Sequence, residues 1–223
     1  MCGRFTLTTT PQALNQLFPL FDGIDLPPNY NVAPTQNVLA VRVKPGTDQL
    51  EAVRLRWGLV PSWADDIKIG YKLINARLDT AATKPSFRSA FKQRHCLILA
   101  DGFFEWKKIG KTKQPFLVRM RDGQPFAFAG LWEKWDGGEK PVESCTILTT
   151  DANELMREVH DRMPVIVDKA HLRHWLVTPG ASEPGTFAYL GPFPADAMTK
   201  MAVNPLVNNV RNNDPRCLEP AAS

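Results

Sequence analysis

The chain has 223 residues, with 27 Lys and Arg against 23 Asp and Glu for a net charge of +4, and 43% of it is hydrophobic. That composition suits one domain, two at most, with a sizeable core, and it excludes disordered and fibrous classes. Cys2, Cys96, Cys145 and Cys217 sit far apart with no CxxC pair, so neither a zinc ribbon nor a disulfide framework is expected, and a reduced intracellular protein is.

In chain order, Thr10-Pro11 reads as an N-cap and first helical position, opening a short helix through Leu14, Leu17 and Phe18. PPNYNVAPT is irregular. Asn37 to Val43 and Leu50 to Trp57 alternate or run apolar over strand-like lengths and join through Pro45-Gly46 as a hairpin. Residues 80 to 93 carry a helical pattern with Asp79 or Thr80 as cap. Five β-rich segments follow, Cys96 to Ala100, Phe103 to Lys107, Gln114 to Arg119, Phe126 to Trp132 and Ser144 to Thr150. A capped helix from Asp151 to about Val159, a strand Val165 to Val167, a helix from Asp168 to Leu176 and a Pro- and Gly-rich surface loop from Thr178 to Pro194 complete the pass. With no βαβ repeat, the expected class is α+β: a single domain over residues 1–223 with a mostly antiparallel, barrel-like β core and a few short helices. No apolar run reaches the roughly 18 residues of a membrane span, and MCGRFTLTTT lacks the layout of a secretory signal, so a soluble cytoplasmic protein is expected, with no membrane partner.

The charge is unevenly spread. Residues 1–110 carry a net +5 and residues 111–223 a net −1, and from Lys68 to Arg94 seven basic side chains face only Asp79. Such a cluster fits a phosphate-binding surface and fits equally a solvated helix face.

Several residues could carry chemistry. Loss of the initiator Met would give Cys2 a free α-amine beside its thiol, a 1,2-aminothiol. The amine, with a pKa of roughly 7.7 to 8.0, can form an imine with an aldehyde, and the thiol can close on it as a thiazolidine. Taken alone, a cysteine at position 2 is more readily chance. Glu105, bracketed by aromatics in ADGFFEWKK, is placed for partial desolvation and proton shuttling, or else is a surface glutamate paired with Lys107 or Lys108. His160 in VHDRMP suits acid–base work or holding a sugar oxygen. Asn75 in INARLDT can both donate and accept, and Arg77 can grip a phosphate. Arg4, Arg77 and Arg162 each lie within two residues of one of these groups, which favours an anionic substrate. Trp63 could stack on a base or cap the core. His171 and His174 share a helix face without a third ligand, so no metal and no other cofactor is expected.

Taken together, MCGRF, YNVAPT, RWGLVPSWA, INARLDT, ADGFFEW, TILTTDAN, HDRMPVI and VNNVRN resemble the SOS-response-associated peptidase (SRAP) family. Phe104, and Leu78-Asp79, depart from that family's commonest wording. The resemblance implies a compact, mainly β protein with a basic groove that senses abasic sites in single-stranded DNA and shields them as a covalent crosslink. Cys2, freed of Met1 by self-removal, would be the nucleophile. Asn75 would position the Cys2 amine or the sugar, Glu105 would promote ring opening, and His160 would stabilise the sugar-derived hydroxyl and assist reversal. Arg4, Arg77 and Arg162 would hold phosphates, and Asn31, Pro34 and Trp63 would line the DNA cleft. A weak AP-lyase activity would follow from the imine, and the protein is expected to act as a monomer. Two other classes compete: a thiol peptidase acting on other proteins, and a non-catalytic single-stranded DNA-binding protein.

Overall fold

Strand parity organises the molecule. In the computed structural model, which describes residues 2–180 and 186–221, the hairpin falls where its alternation predicts. The strands and α-helices in chain order are β1 (Phe5–Leu7), α1 (Pro11–Leu14), β2 (Asn29–Val32), β3 (Asn37–Val43), β4 (Leu50–Trp57), β5 (Asn75–Arg77), α2 (Leu78–Ala81) and α3 (Arg88–Gln93). After these come β6 (His95–Ala100), β7 (Gly102–Ile109), β8 (Thr112–Met120), β9 (Phe126–Trp135), β10 (Val142–Asp151), α4 (Glu154–Arg157), β11 (Arg162–Pro164), β12 (Ile166–Val167), α5 (Leu172–Val177) and β13 (Met198–Ala202).

Five strands close on themselves. β4 pairs β3, β3 pairs β6, β6 pairs β9, β9 pairs β10, and β10 returns to β4. Only the last of these pairings is parallel, so the mixed α+β class with a mostly antiparallel barrel holds. Closure leaves the ring without a free edge. Val38, Ala40, Cys96, Ile98, Phe128, Cys145 and Ile147 fill one core. Their sequence neighbours Leu39, Val41, Leu97, Leu99, Ala127, Ala129 and Leu148 join a second core with Leu14 of α1 and Leu172, Trp175 and Leu176 of α5. Period-2 side-chain alternation thus sends one set into the barrel and the other under the helices.

A second antiparallel sheet, in the order β13-β8-β7-β1-β2, packs on the barrel. Phe5 and Phe103 meet Phe128 at ring-centroid distances of 5.8 and 6.1 Å. Its other face holds Phe104 and Leu117, covered by Val203, Val207 and Cys217 of the C-terminal segment. Sequence alternation around Glu105 is therefore realised: Phe103 faces the barrel and Phe104 faces away.

Three helical expectations change. The pattern over 80–93 splits into α2 and α3, with Pro85, which lacks an N–H to continue a helix, between them. The helix expected from Asp151 begins instead at Glu154, where Asn153 accepts the Met156 N–H at 2.9 Å; Asp151 ends β10. The helix expected from Asp168 opens as a tight 3₁₀ turn over Lys169–His171, with Asp168 as its cap, before α5. β1, β2, β5, β11 and β13 were not predicted at all. Of the loop expected from Thr178 to Pro194, residues 181–185 lie outside the described residues, and the remainder contains no strand. Among the described residues no helix is long and apolar enough to cross a membrane.

Candidate active site

β10 gathers the site. Its edge takes β4 up to Trp57, opposite Cys145, and then β5 from Asn75, opposite Ile147. Residues 58–74 leave and rejoin the same strand, and two glycines pinch their base. A Cβ on Gly58, whose φ is +117°, would lie 2.6 Å from the Gly70 carbonyl oxygen. The loop they close presents Trp63 and Tyr71, each more than half exposed. On its other side β10 carries β11, so that Thr149 stands between Arg77 and Pro164.

Cys2 is fully buried, in the same core as Phe5 and Trp57. Its carbonyl accepts the Asn75 Nδ2 hydrogen at 2.8 Å. The Asn75 Oδ1 is buried and has no partner among the described residues, leaving an acceptor beside Cys2. Burial, reinforced by the nearby Glu105 carboxylate, pushes the Cys2 thiol well above its ordinary pKa, so it stays protonated. Glu105 itself is only 2% exposed.

A cleft of about 520 Å³ is lined by Gly3, Arg4, Glu105, Trp106, Lys113, His160 and Asn208. Arg4, Glu105 and His160 are thereby brought together. The Arg4 guanidinium donates to Asn31 Oδ1 and to the Val207 carbonyl, both at 2.7 Å, and lies 5.7 Å from the Trp106 ring centroid. Those oxygens are neutral, so its positive charge is uncompensated by them. Burial lowers its pKa somewhat. Lys113, Trp106 and Asn208 were missed by sequence reasoning; Trp106 donates to Asn208 Oδ1 at 2.7 Å. Trp106 lies in ADGFFEW and Asn208 in VNNVRN, but neither motif by itself shows that the two side chains meet from about a hundred residues apart.

His160 closes the turn after α4, its N–H bonding the Met156 carbonyl at 2.8 Å. Its Nδ1 lies 3.0 Å from the Arg162 backbone N–H and 2.7 Å from Asp161 Oδ1.

The remaining predicted residues stand elsewhere. Arg77 is exposed and doubly bonded to Asp79. Arg162 is buried, its Nη2 donating to Thr149 O and Oγ1 at 2.9 and 2.8 Å. Asn31 is buried too, and its Nδ2 donates to the carbonyls of Val207, Asn209 and Asn212, so it fastens the C-terminal segment that backs Arg4. Pro34 forms a turn with Thr35, which holds φ +76° and donates its N–H to the Trp57 carbonyl. Neither Pro34 nor Trp63 lines the cleft. Within the basic stretch, Lys68, Arg77 and Arg94 are each paired with an acid, leaving Lys72, Lys84, Arg88 and Lys92 exposed. His171 stacks on Tyr189 at 4.4 Å, and among the described residues no group of three or more His, Cys, Asp or Glu is arranged to hold a metal ion. A larger cavity of about 690 Å³, between the β3–β4 turn and α5, contains none of the predicted site residues.

Residues 1–210 match the family model described as SOS response associated peptidase (SRAP). The chain is 44% identical to abasic site processing protein YoqW of Bacillus subtilis, over 98% of this chain and 99% of that one. It is 32% identical to abasic site processing protein YedK of Escherichia coli, covering 99% and 100% of the two chains. Identity is also 32% with abasic site processing protein HMCES of Xenopus tropicalis, over 98% of this chain and 78% of the relative. Among solved structures, a crystal structure of a protein from Bacteroides thetaiotaomicron superposes with a TM-score of 0.84 at 25% identity, covering 99% of this chain and all of that one.

Proposed function

Because this chain belongs to the SOS response associated peptidase family, we propose that it captures abasic sites in single-stranded DNA as a covalent thiazolidine at Cys2, after removal of Met1. The observation that carries this reading is the pairing of Asn75 with the backbone of a fully buried Cys2, next to Glu105. The names of the relatives, abasic site processing proteins, support the substrate class.

The chemistry follows from what each group can do. An abasic sugar exchanges between a closed hemiacetal and a scarce open aldehyde, and only the aldehyde reacts with an amine. Glu105 takes the hemiacetal proton while His160 supplies one to the ring oxygen, an acid–base pairing worth roughly 10²- to 10⁴-fold. The Cys2 nitrogen then attacks C1′ and water leaves, giving an imine. The thiol sulfur adds to the imine carbon and its proton ends on the nitrogen, so one water is lost overall. Ring closure removes the imine that would otherwise drive β-elimination and strand breakage. Arg4 and Lys113 supply positive charge where the strand's phosphates enter, and Asn75 Oδ1 offers the new amine an acceptor.

A protonated, buried thiol argues against a peptidase acting in trans, for which the thiolate is the nucleophile and a lowered pKa the usual device. A non-catalytic strand binder would have no use for a buried aminothiol. Mass spectrometry of the mature N-terminus and incubation with a uracil-glycosylase-treated oligonucleotide test the proposal together. The expected result is loss of Met1 and a denaturant-stable adduct that Cys2→Ala abolishes. Retention of Met1 in active protein, or an equally stable adduct from Cys2→Ala, overturns it.

A further inference from the structure

Asn208 is held in the cleft at both its backbone and its side chain. It ends a tight 3₁₀ turn over Pro205–Asn208, whose start is capped by Asn204 Oδ1 accepting the Leu206 N–H at 3.0 Å. The residue before it, Val207, is buried with Phe104 and Leu117, and its carbonyl accepts from Arg4 Nη1 at 2.7 Å. The Trp106 indole then donates to Asn208 Oδ1 at 2.7 Å, and Arg4 stands over the same indole. Arg4, Trp106 and Asn208 thus fix one another, and all three line the cleft.

An indole nitrogen can only donate, so it selects the oxygen of the Asn208 amide. The Nδ2 end is left with two hydrogens and no acceptor among the described residues. Arg4 is in the same condition: both of its hydrogen bonds use Nη1, so Nε and Nη2 keep theirs to give. One cleft therefore holds two sets of unspent donors, one charged and one neutral. A phosphodiester, with one negative charge over two non-bridging oxygens, takes both. A base edge fits less well, because an asparagine reading adenine must accept and donate at once, and this oxygen is committed to Trp106. We propose that Asn208 is a binding residue for a phosphate flanking the abasic sugar, beside Arg4, and that Trp106 is the positioning residue that turns its amide. This rests on the reading that the cleft takes an abasic strand. Because a phosphate carries no base information, the contact serves any flanking sequence alike.

The assignment is separable from folding. Asn208 is exposed, so its replacement removes little packing. Trp106→Phe keeps a ring beneath Arg4 and deletes only the N–H and the second ring.

The test measures equilibrium binding of full-length, mature protein to a single strand carrying a tetrahydrofuran abasic analogue, which cannot open to an aldehyde, so that affinity is read apart from chemistry. Asn208→Ala is expected to weaken binding roughly 5- to 10-fold, while the limiting rate of adduct formation on a true abasic strand stays within about twofold. Asn208→Asp still accepts the Trp106 N–H but turns a carboxylate toward the phosphate, and is expected to bind more weakly than Asn208→Ala, the excess shrinking as salt is added. Trp106→Phe is expected to lose part of the affinity in wild type and to cost less in the Asn208→Ala background. A methylphosphonate placed at the linkage 5′ or 3′ to the analogue locates the contact: at one of the two, its cost and that of Asn208→Ala are expected not to add. Asn208→Ala binding as tightly as wild type, or costs that add at both linkages, overturns the assignment. Wild type that binds no abasic strand overturns the proposed function and this assignment with it, an outcome distinct from equal binding by wild type and variant.

Discussion

Trp63 is 58% exposed on a loop that projects from the barrel, and its ring shares none of the packing that fills the cores. An aromatic held out at such a position can stack on an unpaired base, worth about 1–3 kcal/mol. Trp63→Ala is therefore expected to weaken single-stranded DNA binding by roughly 5- to 150-fold while leaving the urea midpoint unchanged, as fluorescence anisotropy and urea titration will read. Residue chemistry was the most legible level of the sequence. Cys2, Asn75, Glu105 and His160 stand out as candidates by side-chain type within the ordered motifs, and none does so from its own segment alone. Burial did not announce itself. Arg162 and Asn31, expected to face DNA, are buried, Arg162 bonded to Thr149 of the neighbouring strand and Asn31 to the C-terminal segment. Lys113 escaped notice, and Asn208, though inside VNNVRN, was given no role, for the same reason: a cleft is a property of tertiary neighbours.

Among elements, the loop over residues 58–74 depends on two backbones crossing at Gly58 and Gly70. Gly58→Ala places a methyl group 2.6 Å from the Gly70 carbonyl oxygen and forces a side chain onto φ +117°. The expected outcome is a loss of about 2 kcal/mol or more in urea denaturation, with weaker DNA binding from a displaced Trp63. A second inter-element tie is His95 of β6. Its ring stacks on Trp175 of α5 at 3.6 Å, and its nitrogens lie 2.8 and 2.7 Å from the carbonyls of Trp175 and of Phe91 in α3. Burial, opposed by those carbonyls, holds its pKa at about 4 against an ordinary 6.5. The folded state thus binds this proton less tightly than the unfolded chain. Stability is complete above about pH 6.5 and falls toward pH 4, by up to about 3 kcal/mol. Urea melts at pH 7 and pH 4.5 should show the fall, and His95→Gln should flatten it. Elements were legible where alternation ran seven residues or more, as in β3 and β4. They were illegible at β1, β5 and β11, three residues each, whose pairing is imposed by β7 and β10 and not by their own pattern.

On the scale of the whole molecule, a closed barrel supports a flanking sheet, and the sheet's interior strand β1 begins three residues after Cys2. β1 is hydrogen-bonded on both sides, to β2 and to β7. Just beyond it the Asp101 carboxylate, at the end of the barrel strand β6, accepts from Thr6 Oγ1, Thr8 N, Thr8 Oγ1 and Thr9 N, at 2.5 to 2.8 Å. If the strand of DNA is bonded to Cys2, tension in that strand enters the protein at its chain end and runs along β1. The short strand is loaded from its tip and would peel, and Asp101 is the cleat that stops peeling from spreading into α1. In an optical trap pulling on the DNA against a tethered C-terminus, Asp101→Asn is expected to open the N-terminal segment at lower force than wild type; equal forces would show that the load is carried elsewhere. An adduct built this way is a mooring: the molecule can lose its first strand to a passing motor and still remain tied to the line.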